Sequence, residues 1–406
     1  MLKRTKVIAC LMATMMIGGA FAGCGKSDSG KTTTGGKEIK IWSQYTGENL
    51  KCVKDLAEAW AKETGNKVKV TEDTKGFDSL VQASKGKNSP DAVVGIANDH
   101  LGTFQKADLI DEVPTGTMDD SDYIEPALKA SSIAGKRYAV PLTLETYVLF
   151  YNKDKVKEAP KTWDDLVAQA KTLGFNYVLN DFYYSLAFIQ ANGGYVLKTS
   201  DDGTVDPKDI GLNNEGAVKG LTMINDLANT SKLVSPSVTA EVARGNFQNG
   251  KVAFYLSGPW DVAAFKKANL NFGVATFPEI VPGKAVPTTA GIKFAVVPKS
   301  SQNKTEAWSF MKYLAKNGPY KLFKQTAAIP VLKSEQAKDE IKNDPITSVF
   351  AKQSESAIPM SSAPEFGTVW DPAKNNITLM ITNKQTPKQA ADNIVKQMQQ
   401  KIATMK

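Results

Sequence analysis

The sequence predicts an α/β fold arranged in two lobes, and three observations support that prediction. Segments that alternate like β-strands are followed by segments with helical spacing, an order that favours sheets covered by helices. The chain has 406 residues, enough for two lobes with a sizeable core. Few long polar stretches interrupt residues 37–406, so we expect lobes joined by several chain crossings rather than domains connected in series.

The first half of the predicted folded part shows this alternation most clearly. Gly65 follows the first predicted helix as a stop signal, and Asn98 is a possible cap of the third. Strands that alternate with helices predict a mainly parallel sheet. The predicted strands are 38–42, 67–70 and 92–96, and the predicted helices are 49–62, 77–84 and 99–108.

The second half, after Pro141, continues the same pattern. Thr162 and Asp165 match a capping box, which opens a helix that continues to Lys171. The other predicted elements are strands at 145–151 and 251–256 and helices at 215–227, 305–316 and 386–405.

The N-terminus has the pattern of a secretory signal. Three basic residues precede an apolar stretch at 7–21 that is too short to span a bilayer, and Ala22-Gly23-Cys24 follows. A signal that ends on cysteine resembles the lipobox of bacterial lipoproteins, although Phe21 stands where leucine is commonest. The resemblance implies cleavage before Cys24, lipidation of its thiol and a tether to the outer face of the membrane. The alternative is an ordinary secreted protein in which Cys24 is removed or left free.

Composition disfavours several classes of function. The formal net charge is +8, and removing the three basic residues of the signal leaves +5. The lysines are spread along the chain without the basic stripe expected of a nucleic-acid-binding protein. With Cys10 and Cys24 assigned to the signal and anchor, Cys52 has no disulfide partner within one mature chain. One histidine, His100, makes a zinc centre or a Ser-His-Asp triad a poor hypothesis, and we expect no cofactor.

A phosphate-loop pattern at 25–32 lies in the wrong context. Gly25 is followed by four residues and then Gly30-Lys31-Thr32, but the motif works only between a strand and a helix. Here it lies in a Gly-, Ser- and Thr-rich stretch that is typical of a flexible spacer. We therefore do not expect a nucleotide site.

Aromatic residues next to carboxylates are the strongest functional signal in the folded part. Three such groups occur, at 181–184, at 258–261 and at Phe366 with Trp370-Asp371. An aromatic ring can cover the apolar face of a sugar while carboxylates accept its hydroxyl protons. The alternative for any one of these aromatics is a place in the hydrophobic core. The groups therefore favour a carbohydrate site without identifying the sugar.

The order of several motifs resembles the maltose/maltodextrin-binding proteins, the sugar-binding subunits of ATP-driven importers. The resemblance extends from about Lys37 to the C-terminus. The motifs are Ile41-Trp42, Pro90-Asp91, Asn98-Asp99-His100, Tyr138-Ala139-Val140-Pro141, Tyr151-Asn152-Lys153-Asp154, Pro160-Lys161-Thr162-Trp163, Asn192-Gly193-Gly194-Tyr195 and Gly258-Pro259-Trp260.

The resemblance implies a set of ligand-binding residues. Trp260, Trp370 and Tyr183 match aromatic platforms of the family. Glu145 and Asp99 match carboxylates that accept sugar hydroxyls, and Asp181 stands where the family has an acidic residue. The remaining expected contacts are His100, in place of a frequent arginine, and Tyr45, in a loop that departs from the family pattern.

The resemblance also implies a two-lobed, periplasmic-binding-protein-like α/β fold, with a central ligand cleft and a hinge of three chain crossings. We expect a monomer that delivers its ligand to ABC permease subunits. The expected segments are a signal peptide at 1–23, a flexible linker with lipidated Cys24 at 24–37, lobe 1 at 38–143 and 294–343, lobe 2 at 147–290 and 350–406, and hinge segments near 142–146, 290–294 and 343–349.

Three alternatives remain open at this stage. The cleft could bind another oligosaccharide or a cyclodextrin. Glu145 and Asp181 could serve as the acid and base of a glycoside hydrolase. The chain could also be a structural surface lipoprotein that binds no sugar.

Overall fold

Strands and helices alternate along the chain, as the sequence pattern predicts. The computed structural model describes residues 36–86, 88–200 and 204–405, and the predicted signal peptide, Cys24 and most of the linker lie outside those residues. The strands are β1 (Glu38–Ser43), β2 (Lys67–Glu72), β3 (Ala92–Ala97), β4 (Ser132–Ile133), β5 (Lys136–Arg137), β6 (Val140–Glu145), β7 (Val148–Asn152), β8 (Phe175–Asn176), β9 (Lys198–Thr199), β10 (Val205–Asp206), β11 (Phe254–Ser257), β12 (Phe272–Ala275), β13 (Thr289–Val296), β14 (Ile329–Pro330) and β15 (Ile358–Pro359).

The helices cover the sheets and form the outer layers of the fold. The α-helices are α1 (Gly47–Thr64), α2 (Phe77–Ser84), α3 (Leu101–Lys106), α4 (Glu125–Ala130), α5 (Trp163–Leu173), α6 (Phe182–Ala191), α7 (Glu215–Asn229), α8 (Ala240–Gln248), α9 (Val262–Lys267), α10 (Lys304–Thr326), α11 (Lys333–Gln336), α12 (Asp339–Lys342), α13 (Thr347–Ser354), α14 (Trp370–Ile381) and α15 (Pro387–Thr404). Short 3-10 helices lie at Asn98–His100, Asp120–Asp122, Pro259–Asp261 and Phe366–Val369.

Two sheets organise the described residues. The large sheet has the order β14-β6-β13-β3-β1-β2, with β15 paired to one end of β13, and the small sheet has the order β12-β7-β11-β8. Helices α1 and α10 share a hydrophobic cluster with β1 of the large sheet. Helices α5, α6, α7, α14 and α15 share another with β7 and β11 of the small sheet. Each sheet therefore has its own helical cover, and a third cluster joins the two sheets, since it contains Phe150 of β7 as well as Phe294 of β13.

The prediction of a mainly parallel sheet holds for only part of the large sheet. Strand β1 pairs in parallel with β2 and β3, whose connections contain helices. Strand β13 pairs antiparallel with both β3 and β6. The chain reaches β13 from the small sheet, so no βαβ crossover imposes a parallel direction on this strand.

The chain passes between the two sheets at positions that frame the space between them. Strand β6 belongs to the large sheet and β7 to the small one, so the chain crosses at Thr146 and Tyr147. The predicted strand at 145–151 is thus divided at the crossing. The chain returns after β12, before Thr289. The exact hinge and lobe limits given above stay predictions.

Helix α10 extends ten residues beyond its predicted end. The predicted helix covered 305–316, and Gly318 and Pro319 follow that span; proline usually interrupts a helix. Both residues are buried inside the helix, which continues to Thr326. Packing of the α10 face against β1, β6 and α1 therefore outweighs the unfavourable local sequence.

Helix ends follow local side-chain chemistry in most but not all predicted places. The Thr162 hydroxyl accepts from the Asp165 backbone N–H at 3.2 Å, so Thr162 caps α5. The predicted capping box is incomplete, because the Asp165 carboxylate accepts from the Thr162 hydroxyl at 2.7 Å and not from the Thr162 backbone N–H. A complete capping box, which was not predicted, begins α15 at Thr386 and Gln389. Among the described residues, no helix is long and apolar enough to cross a bilayer.

Candidate functional site

One cavity contains seven of the eight residues that were predicted to bind ligand. Its volume is about 570 Å³, within the range of roughly 300–1,000 Å³ that is usual for small-molecule sites. It is lined by Ala97, Asp99, His100, Glu145, Asp181, Tyr183, Tyr184, Trp260, Gly291, Lys293, Met360 and Trp370.

The lining residues come from both sheets because several elements begin or end at the cavity. Asp99 and His100 follow β3, and Glu145 is the last residue of β6 in the large sheet. Trp260 follows β11 of the small sheet, Tyr183 lies in the first turn of α6, and Trp370 begins α14. Side chains at element ends can reach a shared space without disturbing either core.

Asp99 is a buried carboxylate with one oxygen still available. Only 4% of the residue is exposed, and its Oδ2 accepts a hydrogen bond from the Trp370 indole Nε1 at 2.9 Å. The His100 Nε2 lies 3.7 Å from the same oxygen. The Asp99 Oδ1 is buried and has no hydrogen-bond partner among the described residues. Since an unpaired buried acceptor is costly, Oδ1 is suited to a ligand hydroxyl.

Asn98 has a different role from the helix cap that was predicted. Its side-chain Nδ2 donates to the Met360 carbonyl at 2.6 Å, and its Oδ1 accepts from the Ile292 backbone N–H at 3.0 Å. The residue therefore ties the segment after β3 to β13 and to the segment that carries Met360. These hydrogen bonds fix the backbone next to Asp99 and so hold its side chain in position.

Asp181 combines a structural contact with a place in the cavity wall. Its Oδ1 accepts from the Tyr183 backbone N–H at 3.1 Å and caps α6. Burial raises the pKa of Asp181, and the hydrogen bond from the Tyr183 backbone opposes that rise. Burial also raises the pKa of Tyr183 well above its usual value, so its hydroxyl stays protonated and donates to the Glu145 carbonyl at 3.4 Å.

Glu145 and Lys293 form a close pair of opposite charge in the cavity wall. The Lys293 Nζ lies 3.8 Å from the Glu145 Oε2. Glu145 is buried, and burial raises the pKa of its carboxyl while the nearby Lys293 ammonium opposes the rise. Sequence reasoning missed Lys293, although it follows Gly291 by two residues in a strand and therefore lies on the same face of the sheet.

The aromatic side chains are held by neighbours that restrict their orientation. Trp260 lies over Gly258, where a Cβ would come within 2.2 Å of the indole. The ring centroids of Trp260 and Tyr183 are 6.2 Å apart. Trp370 makes edge contacts with Phe182 and Phe366 at 6.1 and 5.9 Å.

The carboxylates next to these tryptophans in the sequence have structural contacts instead of places in the cavity. The Asp261 Oδ2 accepts hydrogen bonds from the Tyr255 hydroxyl at 2.9 Å and from the Ser257 hydroxyl at 2.6 Å. Asp371 pairs with Lys401 at 2.8 Å on the surface. Of the acids in the cavity, Asp181 is close in sequence to an aromatic lining residue, Tyr183, whereas Asp99 and Glu145 come from other parts of the chain.

Tyr45, the eighth predicted residue, does not line the cavity. Only 5% of it is exposed, and its hydroxyl lies 3.3 Å from the Thr143 Oγ1. Its ring packs against Gly95, where a Cβ would lie 2.9 Å away and where φ is +91°. The loop after β1 therefore directs Tyr45 into the core of the large sheet.

A second hollow of about 660 Å³ has a different lining. It lies beside α10 and includes Met118, Tyr123, Lys316, Tyr320 and Lys338. Its lysine and acidic side chains partly neutralise each other, as in the pair between Lys338 and Glu335 at 2.6 Å. Of the two, the smaller cavity is the better candidate site, because it alone brings aromatic rings and buried carboxylates together.

Comparison with known proteins finds relatives that match nearly the whole chain. A galactooligosaccharide-binding protein of Bacillus subtilis is 30% identical over 96% of this chain and 96% of its own length. A maltooligosaccharide ABC transporter solute-binding lipoprotein of Streptococcus pneumoniae is 29% identical, with 97% of this chain and 96% of the relative covered.

The similarity extends to solved structures. A maltose-maltodextrin binding protein of Alicyclobacillus acidocaldarius superimposes with a TM-score of 0.85 at 32% identity, over 89% of this chain and all of the other. The family model described as bacterial extracellular solute-binding protein matches residues 55–349. The chain therefore belongs to the bacterial extracellular solute-binding proteins and has their two-lobed α/β fold, as its motifs predicted.

Proposed function

We propose that this protein is the substrate-binding lipoprotein of an ABC importer and that its cavity holds maltose or a longer maltodextrin. The observation that carries the proposal is the convergence of four tryptophan and tyrosine rings and three carboxylates on one cavity. Rings cover the apolar faces of sugar units, and carboxylates accept their hydroxyl protons. The names of the relatives, a maltooligosaccharide-binding lipoprotein and a maltose-maltodextrin binding protein, support the same ligand class.

The proposed contacts account for useful affinity. Each aromatic contact contributes about 0.5–1.5 kcal/mol beyond its buried area, and each hydrogen bond to a charged group contributes about 1.5–3 kcal/mol. A few of each reach the roughly −8 kcal/mol of micromolar binding after the costs of ordering. In this proposal Trp260, Trp370 and Tyr183 form the platforms, while Asp99, Glu145 and Asp181 accept hydroxyls and His100 borders the site.

A galacto-oligosaccharide is the second candidate ligand. The galactooligosaccharide-binding relative is slightly more identical to this chain than the maltooligosaccharide-binding one. Both sugars present apolar faces and hydroxyls, so the cavity chemistry is compatible with either. A thermal-shift series with maltose, maltotriose, a cyclodextrin and a galacto-oligosaccharide distinguishes them, because a ligand that binds only the folded state raises the melting temperature. A shift with the galacto-oligosaccharide alone would refute the maltodextrin assignment.

The sugar leaves the site unchanged in this proposal. Members of the family bind solutes for transport, whereas hydrolysis would require one carboxyl to act as an acid and another as a base at a suitable separation. Burial raises the pKa of both Glu145 and Asp181, whereas a division of roles between acid and base requires two pKa values that differ.

Delivery to the importer depends on closure and on the membrane anchor. Sugar that contacts both lobes favours the closed form by differential affinity, and the closed form docks on the permease as a monomer. The proposed lobes and hinges are those given in the sequence analysis. Lipidated Cys24 tethers the protein to the extracytoplasmic face of the membrane, which C24S tests: the variant should keep sugar affinity but leave the membrane fraction, and persistent lipid labelling of C24S would refute the anchor.

A further inference from the structure

We propose that Lys293 and Glu145 act together as a donor–acceptor pair for two neighbouring hydroxyls of one sugar ring. Lys293 would then help to determine which sugar ring the cavity accepts. The inference rests on the proposed function and adds to it a specificity-determining residue.

The pairing of β6 and β13 brings the two side chains together. The strands are antiparallel, with Gly291 opposite Glu145 and Lys293 opposite Thr143. Lys293 is therefore the diagonal neighbour of Glu145 on the same face of the sheet. Long side chains can meet across such a diagonal, and the Lys293 Nζ lies 3.8 Å from the Glu145 Oε2.

This distance leaves both groups able to bind a ligand. At 3.8 Å the ammonium and carboxylate attract each other but exceed the usual hydrogen-bond length. The Lys293 ammonium can therefore still donate, and the Glu145 carboxylate can still accept. The side chain of Lys293 is 25% exposed, so its charged end remains accessible from the cavity.

Gly291 keeps the space beside this pair open. It occupies the position directly opposite Glu145, where any other residue would direct a side chain to the same face. A Cβ at Gly291 would lie 3.3 Å from the Met360 methyl group, so this part of the cavity is already narrow. The absence of a side chain at position 291 leaves room for a sugar ring beside the pair.

The charge distribution of the cavity makes Lys293 distinctive. Among the described lining residues it is the one lysine or arginine, whereas Asp99, Glu145 and Asp181 are all acidic. Carboxylates accept hydrogen bonds from hydroxyls but cannot donate when ionised, and an ammonium group can only donate. Lys293 therefore supplies a charged donor that the three acids cannot provide.

An adjacent pair of ring hydroxyls matches such a donor–acceptor pair. One hydroxyl donates to the Glu145 carboxylate, and the oxygen of its neighbour accepts from the Lys293 ammonium. Inverting one of the two carbon centres redirects its hydroxyl and removes one of the bonds. Sites that hydrogen-bond a substrate hydroxyl discriminate strongly against analogues that lack it, because a buried protein group loses its partner.

The test compares K293M with wild type by titration calorimetry, using maltotriose and a series of maltotriose analogues that each lack one hydroxyl. We expect K293M to bind maltotriose about tenfold or more weakly, the change that corresponds to loss of a charge-assisted hydrogen bond. We also expect wild type to discriminate against one analogue that K293M binds as well as it binds maltotriose. K352M is the matched control, since Lys352 pairs with Glu355 on the exposed surface.

Each result has a defined meaning. Equal maltotriose affinity of K293M and wild type, or equal discrimination across the analogues, would overturn the inference while leaving the proposed function intact. Failure of wild type to bind any sugar of the thermal-shift series would overturn both. If K293M does not fold, K293Q replaces it, because glutamine keeps a neutral donor. A loss of maltotriose affinity smaller than tenfold, together with an altered preference among the analogues, supports the inference. The same preference as wild type opposes it.

Discussion

The hydrogen bond between Trp370 and Asp99 gives the sharpest test of the site's internal structure. W370F keeps an aromatic ring beside Phe182 and removes the indole Nε1 that donates to the Asp99 Oδ2 at 2.9 Å. Asp99 is 4% exposed and its other oxygen has no partner among the described residues. The substitution therefore removes the indole hydrogen bond from Oδ2 of a buried carboxylate whose Oδ1 already lacks a partner.

The expected magnitude follows from the charge of the acceptor. A hydrogen bond to a charged group contributes about 1.5–3 kcal/mol, and the smaller ring adds a packing loss. W260F is the matched control because it makes the same change of ring in the same cavity without removing a hydrogen bond of this kind. We expect W370F to lower the free energy of unfolding by about 1.5–3 kcal/mol more than W260F does.

Urea denaturation of the ligand-free variants measures this difference directly. The comparison is valid if the free energy of unfolding depends on urea concentration with a similar slope in both variants, since the surface exposed on unfolding is then the same. A difference within about 0.5 kcal/mol, the usual effect of a substitution away from special contacts, would refute the assignment of a stabilising bond between Trp370 and Asp99.

Three further predictions concern the same cavity. Burial raises the pKa of Glu145, so its ionised form opposes folding and the protein loses stability as the pH rises through that raised value. Near neutral pH, E145Q should therefore unfold at an equal or higher temperature than wild type, yet bind sugar about tenfold more weakly. A less stable variant of normal affinity would contradict this prediction. Sugar hydroxyls stabilise the ionised forms of Glu145 and Asp181, whose pKa values are both raised, so binding should release protons and strengthen as the pH rises through those values; calorimetry in buffers of different ionisation enthalpy detects this, and proton uptake would exclude it. In G258A the new methyl group overlaps the Trp260 ring, which lies 2.2 Å from the Cβ position; affinity should fall about tenfold with normal helical content by circular dichroism, whereas unchanged affinity would remove Trp260 from the site.

The sequence predicted most of the candidate site because its motifs lie at the ends of strands and helices. Asp99, Glu145 and Trp260 each follow or end a strand, and these ends meet at one cavity. The resemblance of the motifs to a known family supplied the roles, while the residue chemistry alone indicated a carbohydrate. These residues could be predicted because their motifs are local features of the sequence.

The remainder depended on contacts between distant parts of the chain. Lys293 belongs to the cavity because of the register between β6 and β13, which no local pattern reveals. Asp261 and Asp371 are adjacent to tryptophans in sequence but bond elsewhere. Tyr45 was expected in the site, yet the open space beside Gly95 accommodates its ring in the core.

Helix α10 illustrates the same limit for the fold. Local propensity places a stop at Gly318 and Pro319, but both are buried in a helix that continues to Thr326. Tertiary packing decided the outcome, and a single sequence does not contain that information in local form.

Titration calorimetry of the purified protein with maltotriose, followed by chromatography of the recovered sugar, tests the central claim most directly. The account predicts one binding site per chain, a dissociation constant of about 1 μM, corresponding to roughly −8 kcal/mol, and maltotriose recovered at its original length. Absence of binding, or recovery of shorter sugars, would contradict the claim that this cavity captures a maltodextrin and releases it unchanged.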